Sequence, residues 1–286
     1  MDSIEKSAML SHLSTLYNLE EPLRCKLIRK SFNDHYLIET PSDTFVLRVY
    51  LNNKNYIRSK EDIYFELDFL EYLFLSNIPV VPPIKGKNNQ NNHVLTLDGT
   101  THTIALFSFA KGHPIETDLD NSQAQTLGKI FAKLHAASSN YKSSYSRFKL
   151  NMENLIEEPL NFIEKYARSY GLCDLSFFEK HKHTLKDALY QIPINEDTYG
   201  LIHGDPNPSN YHYCLEQGFT LFDFDHCGYG FRIHDLAVMK LCFPDDVFLS
   251  ILDGYESVRT LQDMEKKSLD VYADILLIRK FLDIFN

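Results

Sequence analysis

A short segment rich in acids and amides carries the most specific chemistry of the sequence. HGDPNPSN places Asp205 and Asn210 five residues apart, and LFDFD brings Asp223 after a short intervening segment. Pro206 and Pro208 lie inside the first motif, so it is predicted to form a stiff loop and not a helix. Carboxylate and amide oxygens on such a loop suit the binding of a divalent cation and the deprotonation of a hydroxyl group.

These three side chains match what phosphoryl transfer requires. The reaction needs an oriented hydroxyl, a nearby base, and cations that neutralise the developing charge. Asp205 can accept the hydroxyl proton, while Asn210 and Asp223 can bind Mg²⁺, which prefers oxygen ligands. In the alternative interpretation, Asn207, Ser209 and their polar neighbours only form turns, where these residue types are common. A β hairpin is predicted between Asn210 and Asp223, and turn formation does not require a carboxylate at the far end of that hairpin. Asp223 therefore favours a functional site over a simple turn.

The motifs HGDPNPSN, LFDFD and HDLA together resemble those of the aminoglycoside phosphotransferase and choline kinase family. Within that family, the chain is most similar to the homoserine-kinase-type and bacterial stress-response-kinase branch. The resemblance covers nearly the whole chain. LGKIFAKLHAAS is similar to the helix before the catalytic loop, SFNDHYLIETPSDTFVLRVY to the first strands, and YFELDFLEYL to the single N-lobe helix. It implies a protein-kinase-like fold.

The resemblance also implies roles for individual residues. Asp205 takes the place of the catalytic base, and Asn210 and Asp223 take the places of the magnesium ligands. Arg48 stands in VLRVY where the family usually has a phosphate-binding lysine, and Glu66 is the helix carboxylate that would orient it. Arginine keeps its charge and binds phosphate bidentately, but it is not equivalent to lysine. The alternative for Arg48 is a polar strand residue in a surface salt bridge, which contributes little to stability.

Three further residues accompany the main motifs. Asp225 stands where a plain D-F-G would have glycine, and it is interpreted either as support for the metal site or the acceptor, or as an exposed loop acid. Asp235 in HDLA matches a family residue that, by the resemblance, would be a structural anchor of the catalytic loop. Its ordinary role would be helix N-capping, and the two roles do not exclude each other. His203, in the first motif, is a candidate supporting residue.

The nucleotide site is less clearly marked in the sequence. There is no G-x-G-x-x-G, and SFNDHY occupies the corresponding hairpin, so phosphate covering would depend on Ser31 and backbone amides. The resemblance places the nucleotide base between two lobes, near the connector from Phe107 to Gly112. Phe107 and Phe109 are the candidate contacts.

A zinc site is the alternative chemistry for the same region, because it is rich in histidine and cysteine. The spacing of these residues does not match ordinary structural zinc motifs, so packed or exposed strand residues are the favoured interpretation. The residues concerned are His203, His212, Cys214, His226, Cys227 and His234.

The positions of apolar residues predict an α+β protein with two lobes. The first lobe, residues 1–108, is a small antiparallel sheet with one interrupting helix, followed by a hinge at 109–114 and a larger, mainly helical lobe at 115–286. Ser59 and Asp62 form a capping pattern at the start of the N-lobe helix. Strands are predicted in CKLIRK, HYLIET and TFVLRVYL, and helices at about 3–17, 151–170, 174–190, 234–253 and 260–285.

The composition excludes several classes of function. The 286 residues are 44% hydrophobic and 24% charged, as in an ordinary globular enzyme. A formal net charge of -10 argues against a nucleic acid polymer as the main partner. No apolar run is long enough to span a membrane. Five cysteines without a C-x-x-C pair predict a reducing, cytoplasmic location.

The sequence therefore predicts a kinase that moves the γ-phosphoryl group of ATP, or of GTP, to a hydroxyl of a small molecule such as an amino alcohol, an aminoglycoside or a homoserine-like compound. One alternative is a Ser/Thr protein kinase. Asp235 of HDLA comes only twelve residues after Asp223 and no A-P-E-like segment follows, so there is no room for a long activation loop. The other alternative is a catalytically silent nucleotide-binding module, which Arg48 and the missing glycine loop favour.

Overall fold

The computed structural model describes residues 3–30, 33–51, 57–97, 99–115, 117–171 and 176–285. The chain forms two compact units. The first contains residues 1–113 together with two later segments, 142–147 and 212–225; the second contains 114–141, 148–211 and 226–286.

The first unit is built on a five-stranded sheet of antiparallel pairs. Its strand order is β1-β2-β3-β5-β4. The elements are α1 (Ser3–Leu16), β1 (Arg24–Lys30), β2 (Asn33–Glu39), β3 (Thr44–Tyr50), α2 (Lys60–Leu75), β4 (His93–Leu97) and β5 (Thr100–Ser108).

Local sequence signals explain these elements. The turn after β2 is closed by a hydrogen bond from the Thr40 amide to the Asp43 carbonyl at 2.9 Å. Helix α2 begins with the predicted capping box of Ser59 and Asp62, which satisfies amide groups at the helix start. In the second hairpin, between β4 and β5, Gly99 has a φ of 74°. The segment NHVLTLDGTTHTIALFSF predicts a hairpin with Asp98 and Gly99 at its turn, and Asp98 lies outside the described residues.

The core of the first unit lies between α1 and one face of the sheet. Alternate residues of a strand point to the same face, so the apolar positions of the central strands all meet the helix. The buried cluster consists of Met9, Leu13, Tyr17, Tyr36, Ile38, Leu47, Val49, Leu95, Ile104 and Leu106.

The remaining elements form the helical part of the chain and two small sheets, in the orders β10-β9-β6 and β7-β11-β8. They are β6 (His113–Pro114), α3 (Asn121–Ser138), β7 (Lys149–Leu150), a π-helical turn (Glu153–Glu157), α4 (Glu158–Ser169), α5 (Ser176–Gln191), β8 (Tyr199–Ile202), a 3₁₀ turn (Pro208–Asn210), β9 (Tyr211–Cys214), β10 (Gly218–Leu221), a second 3₁₀ turn (Phe224–His226), β11 (Gly228–Phe231), α6 (Ile233–Cys242), α7 (Asp245–Glu256) and α8 (Asp263–Phe285).

One predicted helix is wrong in its extent. The helix predicted over 234–253 is two helices, because Pro244 occupies the N-cap position of α7 and α6 has already ended at Cys242. Proline lacks the amide that a continuous helix would need at this point. In the described part of the chain, none of the helices has the length and apolar character needed to cross a membrane.

Candidate active site

The loop after β8 is held by a buried carboxylate. Asp235 accepts hydrogen bonds from the backbone amides of His203 and Gly204, both at 2.9 Å. Gly204 has a φ of 85°, and a Cβ atom at this position would lie 2.2 Å from the carbonyl oxygen of His226. Only glycine fits this conformation and this close approach without strain. Asp235 and the close approach at Gly204 therefore hold the backbone of the HGD segment in place.

Asp235 is itself fixed by a hydrogen-bonded histidine. Its Oδ2 lies 2.9 Å from Nε2 of His135, whose Nδ1 lies 2.8 Å from the Tyr255 hydroxyl. Burial disfavours the Asp235 charge, but the hydrogen bond from His135 and nearby histidines outweigh it and lower the pKa of Asp235. Asp235 is the third residue of α6 and Arg232 is its N-cap, so the N-capping alternative for Asp235 is wrong.

Asp205 is kept in its ionised form by its neighbours. Burial alone would raise the pKa of Asp205, but His226 and hydrogen bonds from Asn207 and Asn210 outweigh this effect and the pKa is lowered. The amide groups of Asn207 and Asn210 donate to its Oδ2 at 2.8 and 3.1 Å. Asp205 can therefore receive a hydrogen bond from a hydroxyl group at neutral pH.

Asn210 is bonded within the loop through its amide nitrogen. Its Nδ2 donates to the backbone carbonyl of Asp205 at 2.8 Å as well as to the Asp205 carboxylate. This pairing assigns the other amide atom, Oδ1, as the acceptor, and its contact with the Ser209 hydroxyl is long, at 3.5 Å. A neutral oxygen held in this way fits the donor set that Mg²⁺ prefers.

His203 is a buried structural residue of the loop. Its ring lies 5.9 Å from the ring of Phe131, and its Nδ1 accepts from the amide of Asp205 at 3.3 Å. The contact helps to hold the loop backbone.

The first unit contains a second polar cluster centred on Arg48. Arg48 Nη1 binds Glu66 at 2.7 Å, Nη2 binds Asp223 at 2.9 Å, and Nε donates to Nε2 of His35 at 3.2 Å. Only 6% of Arg48 is exposed, so the alternative of a surface salt bridge is wrong. The polar face of β3 is covered by α2 and by the segment around Asp223. We call His35, Arg48, Glu66 and Asp223 the arginine cluster.

The charges of the arginine cluster depend on one another. Burial raises the pKa of Glu66 to about 7, although Arg48 acts in the opposite direction. Tyr50 donates a hydrogen bond to the second oxygen of Glu66 at 3.3 Å. The Arg48 guanidinium lies 5.7 Å from the ring centre of Tyr50 and 5.3 Å from that of Phe107. Cation–π contacts of this kind add to the stability of a buried guanidinium.

The backbone at Asp223 is unusual and its neighbour Asp225 is buried. Asp223 has a φ of 64°, a conformation that few residues other than glycine adopt and that is concentrated at functional sites. Asp225 is 5% exposed, so its interpretation as an exposed loop acid is wrong. Its Oδ2 accepts from the Asn33 amide at 2.9 Å, and Arg147 donates to its backbone carbonyl. Arg147 also binds the carbonyl of Asp62 at 2.9 Å, which ties the start of α2 to this segment.

The predicted nucleotide contacts lie in different surroundings. Phe107 is buried beside Arg48, whereas Phe109 is 41% exposed and its ring lies 6.0 Å from that of His212. Ser31 lies outside the described residues.

The residues considered for zinc have other contacts. His212 binds the carbonyl of Ala110 at 2.9 Å and packs edge-on against the ring of Phe222. Over the described residues, no disulfide joins Cys25, Cys214, Cys227 and Cys242 to one another. Over the described ranges, no three or more His, Cys, Asp or Glu side chains are arranged to hold a metal ion.

Three residues of these networks, His35, Asn33 and Arg147, are not marked by the sequence motifs. A signal for His35 was present, because the short turn after β2 sets the register that pairs His35 with Arg48. No local pattern marks Arg147, whose two partners are 85 and 78 residues away in sequence.

Similarity to known proteins identifies the family to which this chain belongs. The fold is that of the protein-kinase-like phosphotransferases, and the phosphotransferase enzyme family model matches residues 25–266. The chain belongs to this family. The predictions of the family, of the fold and of a small-molecule phosphotransferase are therefore confirmed.

Several relatives cover most of the chain. It is 22% identical to the amicoumacin kinase of Bacillus subtilis in an alignment that covers 94% of this chain and 85% of the relative. It is 25% identical to the homoserine kinase of Gluconobacter oxydans in an alignment that covers 87% of this chain and 78% of the relative.

Solved structures show the same fold. An amicoumacin kinase in complex with AMP-PNP, Ca²⁺ and Ami matches with a TM-score of 0.77 and 21% identity, over 96% of this chain and 84% of the other. A microcompartment-associated aminopropanol kinase matches with a TM-score of 0.76 and 22% identity, over 96% and 88%.

Proposed function

We propose that this protein transfers the γ-phosphoryl group of ATP to a hydroxyl group of a small molecule that also carries an amino group. The observation that carries the proposal is the loop from His203 to Asn210, because buried Asp235 fixes its backbone while the Asp205 carboxylate stays ionised. A fixed, ionised carboxylate is the group that a hydroxyl acceptor requires.

In this proposal, Asp205 accepts the proton of the attacking hydroxyl group. Asn210 and Asp223 would hold Mg²⁺ through their oxygen atoms, and the cation would supply positive charge against the phosphate oxygens of the nucleotide. Arg48 binds the phosphates in place of the usual lysine, and Glu66 orients it. The nucleotide base would contact the connector at Phe107 and Phe109.

The acceptor class rests on two kinds of support. The relatives and structural neighbours include kinases named for amicoumacin, aminopropanol and homoserine, and the last two names are those of compounds with both a hydroxyl and an amino group. The net charge of -10 favours the approach of a cationic molecule.

The test is Mg²⁺-dependent turnover of ATP and of GTP with a panel of amino alcohols, homoserine, aminoglycosides and neutral sugars, together with a generic protein substrate. Mass spectrometry would detect a phosphorylated product. We expect a product from at least one amino-hydroxyl compound, formed about 10²- to 10⁴-fold more slowly by the Asp205→Asn variant. Product only from the protein substrate would favour a protein kinase, and nucleotide binding without any product would favour the silent module.

A further inference from the structure

Arg48 differs from a lysine in carrying Nε, a nitrogen within the side chain that needs a hydrogen-bond acceptor when it is buried. Glu66 and Asp223 engage the two terminal nitrogens, and neither carboxylate binds Nε. The partner of Nε is His35, whose Nε2 lies 3.2 Å away. A buried donor without a partner costs stability, so Nε–H needs an acceptor of its own. The three donors of a lysine are all on its terminal nitrogen, so a lysine has no donor at the place of Nε.

The position of His35 follows from the pairing of two strands. His35 of β2 and Arg48 of β3 are directly opposite in the antiparallel register. Opposite side chains on one face of a sheet lie close enough to interact. The sheet thus aligns the histidine with its partner without help from any distant segment.

The hydrogen bond defines the form of the histidine. Arginine nitrogens only donate, so Nε2 of His35 must be the accepting nitrogen and the ring proton is on Nδ1. Burial, followed by the charge of Arg48, lowers the pKa of His35 to about 3. His35 is therefore neutral, and able to accept, at neutral pH.

We propose that His35 is a positioning residue that, by accepting from Nε, fixes the plane of the Arg48 guanidinium for phosphate binding. With three nitrogens bound to three different side chains, the guanidinium cannot rotate about its long axis. His35 and Arg48 then act as a pair that replaces the single lysine of related kinases. This inference rests on the proposed function, because it assumes that Arg48 binds the nucleotide phosphates.

A simple packing role for His35 would predict something different. Loss of packing would lower the melting temperature in every background, whether residue 48 is arginine or lysine. Loss of positioning would weaken nucleotide binding, and only when residue 48 has an Nε. The two roles are therefore separated by a double-mutant cycle.

The variants are His35→Leu, which removes the acceptor at similar volume, and His35→Gln, whose amide oxygen can replace Nε2. Each is made in the wild-type chain and in the Arg48→Lys chain. Calorimetric titration gives the Kd for Mg·ATP, and thermal unfolding followed by circular dichroism checks that each variant is folded. His35→Gln keeps the proposal testable if His35→Leu does not fold.

We expect His35→Leu to raise the Kd by about 5- to 10-fold, the effect of one lost hydrogen bond, and His35→Gln to stay within about 3-fold of wild type. In the Arg48→Lys chain, His35→Leu should change the Kd by less than about 2-fold, because lysine has no Nε. An equal effect in both backgrounds, or no effect in either, would overturn the assignment of His35 alone. Failure of the wild-type chain to bind Mg·ATP would overturn both this inference and the proposed function.

Discussion

Arg48 shows how burial changes what an ion pair does for a protein. An exposed pair contributes about 0–1 kcal/mol, but a buried charge that loses its partner costs several times more. Because Glu66 is fully buried, the stability of the protein depends on the ion pair between Glu66 and Arg48. The Arg48 side chain is also proposed to bind phosphate. Structural and functional effects of Arg48 must therefore be measured separately.

We expect Arg48→Ala to destabilise the protein by about 3–5 kcal/mol, because it leaves Glu66 and Asp223 without their cation. Arg48→Lys should cost less, since it keeps one charge but cannot reach all three partners. Urea unfolding of both variants provides the measurement, and Lys240→Ala is the control, since it removes a cation whose partner, Asp270, is 78% exposed. A loss below 1 kcal/mol for Arg48→Ala would contradict the buried-pair interpretation.

At Asp205, the expected change concerns rate and pH. Asp205→Asn removes proton acceptance but keeps the size of the side chain, so turnover should fall by about 10²- to 10⁴-fold while the Kd for Mg·ATP changes little. The lowered pKa of Asp205 means that its carboxylate stays ionised as pH falls to 5. Its protonation therefore should not reduce kcat between pH 5 and 8, and a pH profile would check this. Wild-type turnover in the Asn variant would remove Asp205 from the mechanism.

At the scale of elements, the loop after β8 depends on a backbone conformation that sequence alone indicates only weakly. Gly204 combines a φ of 85° with a close approach to the His226 carbonyl. Gly218, at the β9–β10 turn, has a similar φ of 73°, yet a Cβ there would meet nothing within 4 Å. The two glycines separate conformational strain from steric conflict.

Gly218→Ala should cost only the strain of the left-handed conformation, about 1–2 kcal/mol, with nearly normal turnover. Gly204→Ala must also move the backbone near Asp205, so it should be less stable than Gly218→Ala and lose most of its activity. Unfolding and kinetic measurements on the two variants, side by side, check this expectation. Equal activity in both would show that the loop tolerates displacement.

Local signals predicted the elements well and the network between them less well. The capping box at Ser59 and Asp62 and the hairpins of the first unit follow from short-range patterns. The break between α6 and α7 was missed, although Pro244 marks it, because apolar spacing continues through it. Burial of Asp225 was not predictable, since its partners Asn33 and Arg147 are brought to it only by the tertiary fold.

At the scale of the molecule, the proposed functional residues are shared between the two units. Asp205 and Asn210 belong to the second unit, whereas Asp223 and Arg48 belong to the first, and the chain passes from one to the other between residues 211 and 212. The β9–β10 hairpin therefore links the loop of the proposed base covalently to Asp223.

Mg·ATP should raise the melting temperature of the wild-type chain, because a ligand that binds only the folded state stabilises it by about 2.7 kcal/mol at 100 times its Kd. Asp223→Ala should lose more of this stabilisation than Asn210→Ala, since a carboxylate attracts the cation more strongly than an amide and Asp223 also holds Arg48.

Asp253→Ala, which removes an exposed carboxylate from α7, is the matched control for that comparison and should keep the full ligand-induced shift. The measurement is thermal unfolding of the three variants and the wild type in a titration of Mg²⁺ at fixed ATP, with each shift referred to the same variant without ligand. This reference removes the intrinsic loss of stability that follows from leaving Arg48 without Asp223. If Asp223→Ala and Asn210→Ala kept the same Mg²⁺ dependence as Asp253→Ala, neither residue would be a metal ligand, and the cation would have to be bound by other groups.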